Sequence, residues 1–183
     1  MRDTGYDFNN LVRFLEIVGR LKKVPRAGWV DVGIQNPESV ADHIFRTTIL
    51  CMVYAKMDKL NQLKIMKMAL IHDLPEAITG DLTPSIKTAE SNKKENAALI
   101  QILNLLPEKQ RKEYQKSWNE YKKGETREAK AVKQLEKLEL ALQSREYEKS
   151  KATDQSLKRF TESVKKTIEL PKLTRLLTCI LKK

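Results

Sequence analysis

Apolar residues recur at intervals of three and four along most of the chain, and this spacing limits the fold more than any other feature. In the first segment Phe8, Leu11, Leu15 and Val18 follow the interval, which places them on one face of a helix. The 183 residues include only six glycines and six prolines, and no stretch shows a convincing strand pattern. The sequence therefore predicts an all-α fold. The predicted helices span residues 7–22, 36–57, 61–72, 90–105, 107–124, 126–149, 155–168 and 171–181.

Length and composition suit one domain with its own core, since 40% of the residues are hydrophobic and 32% are charged. We expect residues 1–183 to form a single domain, with a core over about 8–150 and C-terminal helices over 153–183.

Cys51 and Cys179 lie within helical patterns and are expected to be buried thiols in a reducing compartment. Neither a signal-peptide pattern nor a membrane-spanning apolar run is present, so the expected location is cytoplasmic, with no membrane partner.

The net charge of +11 and the pI near 9.6 have two interpretations. A basic protein can bind nucleic acid. The alternative is a solvated, lysine-rich surface, and we favour it because the lysines are scattered among glutamates over residues 113–123 and 127–149. We therefore expect no nucleic-acid partner, although a positive field would concentrate small anionic substrates such as nucleotides.

The chain has only two histidines, and both fall on helices that are predicted to be buried. His72 is followed directly by Asp73 at the end of an apolar run, and His43 lies near the start of the preceding helix. Imidazole and carboxylate together suit Mn, Fe, Co, Ni or Zn. A His-Asp pair is also common by chance, but Glu76 and Asp81 follow it, and no lysine separates these acidic residues.

A loop between the first two predicted helices carries Arg26 and Trp29. Such a pair can clamp a phosphate and stack a base. The alternative is a surface arginine beside a tryptophan that anchors the core, and the residues alone favour this second interpretation.

In the order His43, His72-Asp73, Glu76 and Asp81, the sequence resembles the HD-domain metal-dependent phosphohydrolases. It is most similar to their 5'-deoxynucleotidase branch, which hydrolyses deoxynucleoside 5'-monophosphates. The resemblance extends to residues 24–30 (VPRAGWV), 36–43 (NPESVADH) and 72–82 (HDLPEAITGDL). It implies a helical bundle with a metal site between central helices, a nucleotide substrate, and a homodimer or higher homo-oligomer.

The resemblance also implies roles for individual residues. It implies one divalent ion, Mn, Co or a similar transition metal, with Mg or Zn as further options. Glu76 is implied as general acid or base, and Asp81 as the residue that orients the water or the sugar hydroxyl. Arg26 is implied to hold the phosphate. The equivalence of Trp29 is open, because the family has an aromatic residue directly after the arginine. The metal ligands it implies are His43, His72, Asp73 and Glu136.

The chain departs from the family at Glu136, where the family has an aspartate ligand after a string like VKQL. On a helical wheel Glu136 and Glu139 both fall in the apolar sector, whereas Gln134 falls on the opposite face with the lysines. Three readings stay open: Glu136 binds the metal, Glu139 replaces it, or the site has weakened and a buried glutamate pairs with an arginine such as Arg46.

Three rival functions follow from these alternatives. One is another HD-type nucleotide phosphodiesterase or phosphohydrolase. Another is a basic helical nucleic-acid binder with a structural metal. The last is a degenerate, non-catalytic helical binding protein. We favour the metal-dependent 5'-deoxynucleotidase over all three.

Overall fold

A computed structural model describes residues 5–182, and within them the chain is built from helices. The all-α prediction is confirmed: over this range the one β-bridge joins Pro25 and Ser39. A 3-10 turn at Leu21–Lys23 extends the first helix. The helices are α1 (Phe8–Arg20), α2 (Ala27–Val30), α3 (Val40–Met57), α4 (Gln62–Ile71), α5 (Glu76–Thr79), α6 (Ala89–Leu103), α7 (Glu108–Lys123), α8 (Arg127–Ser150), α9 (Lys158–Thr167) and α10 (Pro171–Lys182).

Helix α3 begins at Val40, later than the predicted start near Asn36. Ser39 is the N-cap, and it forms a reciprocal capping box with Asp42. The residues before it are held in extended backbone by a neighbouring segment, because Arg26 N–H donates to the Glu38 carbonyl and Val40 N–H donates to the Val24 carbonyl. This pairing between distant segments overrides the helix-start signal of Asn36, and it draws the Arg26 loop against the start of α3.

Helix α8 is the centre of the molecule and contacts α3, α4, α7, α9 and α10. Its buried face carries Leu135 and Leu138, which pack into the largest apolar cluster. A second cluster joins α1, α6 and α7 to the end of α4. The first turn of α3 and the last turn of α4, which carry His43 and His72, therefore lie against a closely packed interior.

Gln134 is buried, contrary to its predicted place on the exposed face of α8. Its side-chain oxygen accepts hydrogen bonds from the backbone N–H groups of Glu169 and Leu170, both at 2.9 Å. These two donors belong to the connection between α9 and α10. Gln134 therefore connects the C-terminal helices to α8. A helical wheel of α8 alone cannot predict this contact.

The two cysteines differ in their surroundings. Cys51 is buried as expected, but Cys179 is exposed, so the prediction of a second buried thiol was wrong. Across residues 5–182, the structure contains no helix that combines the length and apolar character needed to cross a membrane.

Candidate active site

The two histidines meet at the junction of α3 and α4. His43 lies in the first turn of α3, and His72 caps the C-terminus of α4. Their ring centroids are 5.5 Å apart. The Oδ2 atom of Asp73 lies 3.7 Å from His43 Nε2 and 3.0 Å from His72 Nε2. Donor atoms of these three residues all lie within 4.8 Å of one another, a spacing at which they can ligate one ion.

The partners of the outer ring nitrogens fix the tautomers of both imidazoles. His72 Nδ1 lies 2.7 Å from the Ala69 carbonyl, which can only accept, so this nitrogen carries the proton. His43 Nδ1 lies 2.6 Å from Glu139 Oε2, and it donates to this oxygen when Glu139 is ionised beside Arg46. In the neutral form of each ring the Nε2 atom therefore holds the lone pair, and this atom faces Asp73. Ligating histidines are held in this manner in many metal sites.

A buried nitrogen atom without a hydrogen-bond partner gives an independent test of whether a metal ion fits this site. His72 Nε2 is shielded from solvent and has no hydrogen-bond partner among the described residues, although Asp73 is close. Burial, followed by the charge of Arg26, holds the pKa of His43 well below its ordinary value. Burial opposes ionisation of Asp73, but His72 and Arg26 hold its pKa below the usual range. A neutral imidazole next to an ionised carboxylate is a donor set that suits a divalent cation.

Glu136 extends this cluster from α8. Its Oε2 atom lies 3.7 Å from His72 Nε2 and accepts a hydrogen bond from the Tyr121 hydroxyl at 2.6 Å. Glu136 is outside the tight group of three, yet its carboxylate is on the same side as the Nε2 atoms.

Glu139 takes a different position from Glu136. It is fully buried and lies on the outer side of the His43 ring, where its other oxygen accepts two hydrogen bonds from Arg46 at 2.7 and 2.9 Å. Glu38, His43 and Glu139 form a second group with ligand spacing. The Arg46 guanidinium already supplies the positive charge there. The pairing expected between a buried glutamate and Arg46 is therefore made by Glu139.

Arg26 and Asp81 face the cluster from the loop side. Arg26 Nη1 lies 3.3 Å from Asp81 Oδ1 and 3.8 Å from Asp73 Oδ2. The other oxygen of Asp81 accepts from the Ala27 backbone N–H at 2.8 Å, at the first residue of α2. Asp81 thus holds both the guanidinium and the backbone of its loop, which fixes Arg26 beside the Asp73 carboxylate.

Glu76 lies in the first turn of α5, one turn beyond the His-Asp pair. It is buried, and its Oε2 atom has no hydrogen-bond partner in the part of the chain that the structure describes. Burial, together with the charges of Asp73 and Asp81, raises the pKa of Glu76 to about 10. A carboxyl group in these surroundings can carry a proton at neutral pH, which is the property a general acid needs.

Trp29 is 1% exposed and is part of a small buried cluster rather than an open platform. Its ring packs between Tyr147 and Phe160, and its Nε1 donates to Glu38 at 2.8 Å. Burial, followed by the charge of Glu139, raises the pKa of Glu38 to about 8. The core-anchoring alternative describes Trp29 better than the stacking one, although Trp29 is among the residues that line the cavity.

A cavity of about 560 Å³ joins these residues to solvent. Its buried floor carries His43 and Glu76, and Tyr121 and Glu136 line it from the α7 and α8 side. Several lining residues were not predicted from the sequence, among them Lys87 from the loop before α6, Lys137 from α8, and Arg159, Phe160 and Ser163 from α9. Basic residues next to an aromatic one at Arg159-Phe160 were a weak signal for the last group.

Comparison with known proteins identifies the family of this chain. The family model described as HD domain matches residues 18–174. The chain belongs to the HD domain family. The 5'-deoxynucleotidase HDDC2 of Homo sapiens is 40% identical over 177 residues, which cover 96% of this chain and 86% of that protein.

Solved structures share the fold of this chain. The PH0347 protein of Pyrococcus horikoshii OT3 is 30% identical, with a TM-score of 0.77 that covers 92% of this chain and 97% of that one. The Cyanophage S-2L HD phosphohydrolase DatZ, bound to dA and one catalytic Zn²⁺, is 18% identical and shares the fold, with a TM-score of 0.57 over 92% of this chain and 96% of that one. The resemblance inferred from the sequence motifs is confirmed.

The Arg46–Glu139 pair predicts a measurable effect on stability. Replacing Arg46 with Met leaves the Glu139 carboxylate buried without a cation, so we expect the free energy of unfolding to fall by about 3 kcal/mol. Because loss of the arginine favours the protonated carboxyl group, the deficit should shrink as the pH falls from 7 toward about 4. Urea denaturation in metal-free buffer measures the loss of unfolding free energy at pH 7 and its change with pH.

Arg127→Met is the matched control. Arg127 pairs with Asp58 at 3.4 Å, but its side chain is 70% exposed, so its loss should cost less than about 1 kcal/mol. Equal effects of the two substitutions would contradict the role given to Arg46.

Proposed function

We propose that this protein is a metal-dependent 5'-deoxynucleotidase that hydrolyses deoxynucleoside 5'-monophosphates to deoxynucleosides and phosphate. The observation that carries the proposal is the pair of imidazole Nε2 atoms that face Asp73, next to a cavity lined by His43, Asp73 and Arg26. The similarity to proteins named 5'-deoxynucleotidase HDDC2, at 36–41% identity, supports the substrate class.

The proposed metal site takes one divalent ion on His43, His72, Asp73 and Glu136. Two imidazoles and two carboxylates favour Mn, Co or a similar transition metal, and they also accept Zn; Mg is a poorer match because it prefers oxygen ligands. When bound, such an ion polarises the phosphoryl group and lowers the pKa of water beside it.

Arg26 is proposed to bind the substrate phosphate. Its guanidinium already lies within ion-pair distance of Asp73 and Asp81, which hold it in one orientation before substrate arrives. A fixed guanidinium fork matches two phosphate oxygens and neutralises their charge. In this proposal Asp81 orients Arg26 and the water or sugar hydroxyl next to it, and Trp29 forms part of the wall.

Glu76 is proposed to hold and transfer the proton. Its unpartnered Oε2 atom lies in the same cavity as the Asp73 carboxylate, and the raised pKa favours the protonated form. From this position it can donate to the leaving 5'-oxygen of the deoxynucleoside or take a proton from the attacking water.

Loss of either residue of the His-Asp pair should abolish hydrolysis. We expect His72→Ala and Asp73→Ala each to lower phosphate release from deoxynucleoside 5'-monophosphates with Mn or Co by at least about a thousandfold. The control is Asp154→Ala, because Asp154 is exposed and does not line the cavity. Activity that survives both substitutions would falsify the proposed mechanism.

Tyr121 should matter because it orients the Glu136 carboxylate. We expect Tyr121→Phe to weaken binding of Mn or Co by about tenfold, and Glu136→Gln to weaken it further. Tyr114→Phe is the matched control, since Tyr114 lies on the same helix and packs in a different cluster. Titration calorimetry with each ion measures the affinities. An unchanged affinity in Glu136→Gln would remove Glu136 from the ligand set.

A homodimer is part of the same proposal, and an exposed apolar stripe on α3 supports it. Phe45, Ile49, Val53 and Met57 recur every four residues, and Phe45 is 70% exposed. Leu63 and Leu70 expose further apolar surface on α4, which packs directly against α3. Apolar surface of this extent typically marks an interface, and a second copy of the chain is the partner we propose.

Charge on this stripe should therefore disrupt self-association. We expect the wild type to sediment as a dimer and the double variant Phe45→Glu/Val53→Glu to sediment as a monomer. Val12→Glu is the control, because Val12 is an exposed apolar residue on α1. A wild type that sediments as a monomer at every concentration tested would disprove the proposed dimer.

A further inference from the structure

Helix α9 forms part of the wall at the open end of the active-site cavity. The floor of the cavity is buried, whereas Arg159 and Ser163 of α9 are exposed at its mouth. A nucleotide whose phosphate contacts Arg26 at the floor has its sugar and base toward solvent. The part of the protein that meets the base is therefore at the mouth, and α9 is one side of it.

Phe160 connects α9 rigidly to the loop that carries Arg26. Its ring packs on the Trp29 ring with centroids 4.4 Å apart. A Cβ atom at Gly28 would lie only 3.3 Å from Phe160 Cε1, so the absence of a side chain at this position permits the close approach. The two segments thus form one packed unit, and the position of α9 relative to the phosphate end of the cavity is set by direct contact.

Arg159 lies over the ring of Phe160. Its guanidinium carbon is 4.9 Å from the centre of the Phe160 ring, a cation–π distance. Among the described residues Arg159 has no salt bridge, unlike Arg26 and Arg46. A guanidinium plane that is supported on one face by an aromatic ring, and is free of a carboxylate partner, remains available for a ligand.

We propose that Arg159, held by Phe160, is the residue that binds the nucleobase of the substrate. The proposal rests on the proposed nucleotidase function and adds its base-recognition residue. Bases stack on guanidinium planes as they do on aromatic rings, and the N–H groups of arginine can donate to base carbonyl and ring-nitrogen acceptors. Arg159 acts on the base and not on the phosphate, because Arg26 is the cation fixed beside the His-Asp cluster.

The first test separates the base from the phosphate by using two substrates. Deoxyguanosine 5'-monophosphate carries both groups, and 2-deoxyribose 5-phosphate lacks the base. We expect Arg159→Gln to raise KM for the nucleotide about tenfold with kcat nearly unchanged, and to change kcat/KM for the sugar phosphate less than about twofold. Arg175→Gln, an exposed arginine on α10 that does not line the cavity, should change neither.

The second test needs no turnover and so distinguishes failure of this inference from failure of the proposed function. Titration calorimetry measures binding of the product deoxyguanosine, which has the base but no phosphate. We expect Arg159→Gln to weaken this binding about tenfold. If the wild type hydrolyses nothing yet binds the nucleoside in an Arg159-dependent way, the nucleotidase proposal fails and the base site stands.

Phe160→Leu tests whether the aromatic ring positions the arginine. If the ring acts only by positioning Arg159, the double variant Arg159→Gln/Phe160→Leu should bind deoxyguanosine no more weakly than Arg159→Gln alone. Thermal unfolding of each variant checks that Phe160→Leu remains folded. The inference is overturned if Arg159→Gln leaves nucleoside binding unchanged, or if it lowers kcat/KM equally for the nucleotide and the sugar phosphate.

Discussion

The bond between Glu139 and His43 is the interaction on which the site depends. A fully buried carboxylate is costly unless it is paired, and Glu139 is paired twice, with His43 Nδ1 at 2.6 Å and with Arg46 at 2.7 Å. His43 and Arg46 both belong to α3, whereas Glu139 belongs to α8. The same contact therefore joins the two central helices and sets the orientation of the His43 ring. Stability and ligand geometry are coupled through one carboxylate.

The remaining site residues lie where helices end. His72 caps α4, Glu76 begins α5, and Arg26 immediately precedes α2. Residues at helix ends can turn their side chains into a cavity while the helices themselves stay packed. The backbone pairing of Val24 with Val40 performs the corresponding task for the Arg26 loop, because it attaches this loop to the start of α3. The cavity is thus assembled from residues at helix ends, and each of these is held by a packed neighbour.

Sequence patterns predicted the long helices well because helical periodicity is local. They failed where the deciding partner is distant along the chain. The start of α3 is fixed by backbone pairing with Val24, and Gln134 is buried because its acceptor meets N–H groups of Glu169 and Leu170. The wheel of α8 placed Glu136 and Glu139 in the apolar sector without separating their environments. The two environments differ because Tyr121 on α7 contacts Glu136 and Arg46 on α3 contacts Glu139. The sequence of α8 alone cannot predict either contact.

The glutamate at position 136 is best understood together with Tyr121. A glutamate has one more rotatable bond than an aspartate, so its carboxylate has more conformations to lose when it binds an ion. The Tyr121 hydroxyl removes part of that freedom by donating to Oε2 at 2.6 Å, the oxygen that also lies nearest to His72 Nε2. Burial, followed by the charge of Glu136, holds the pKa of Tyr121 well above its ordinary value, so the hydroxyl remains a donor. The Tyr121 hydroxyl thus holds the longer Glu136 side chain with its carboxylate toward His72.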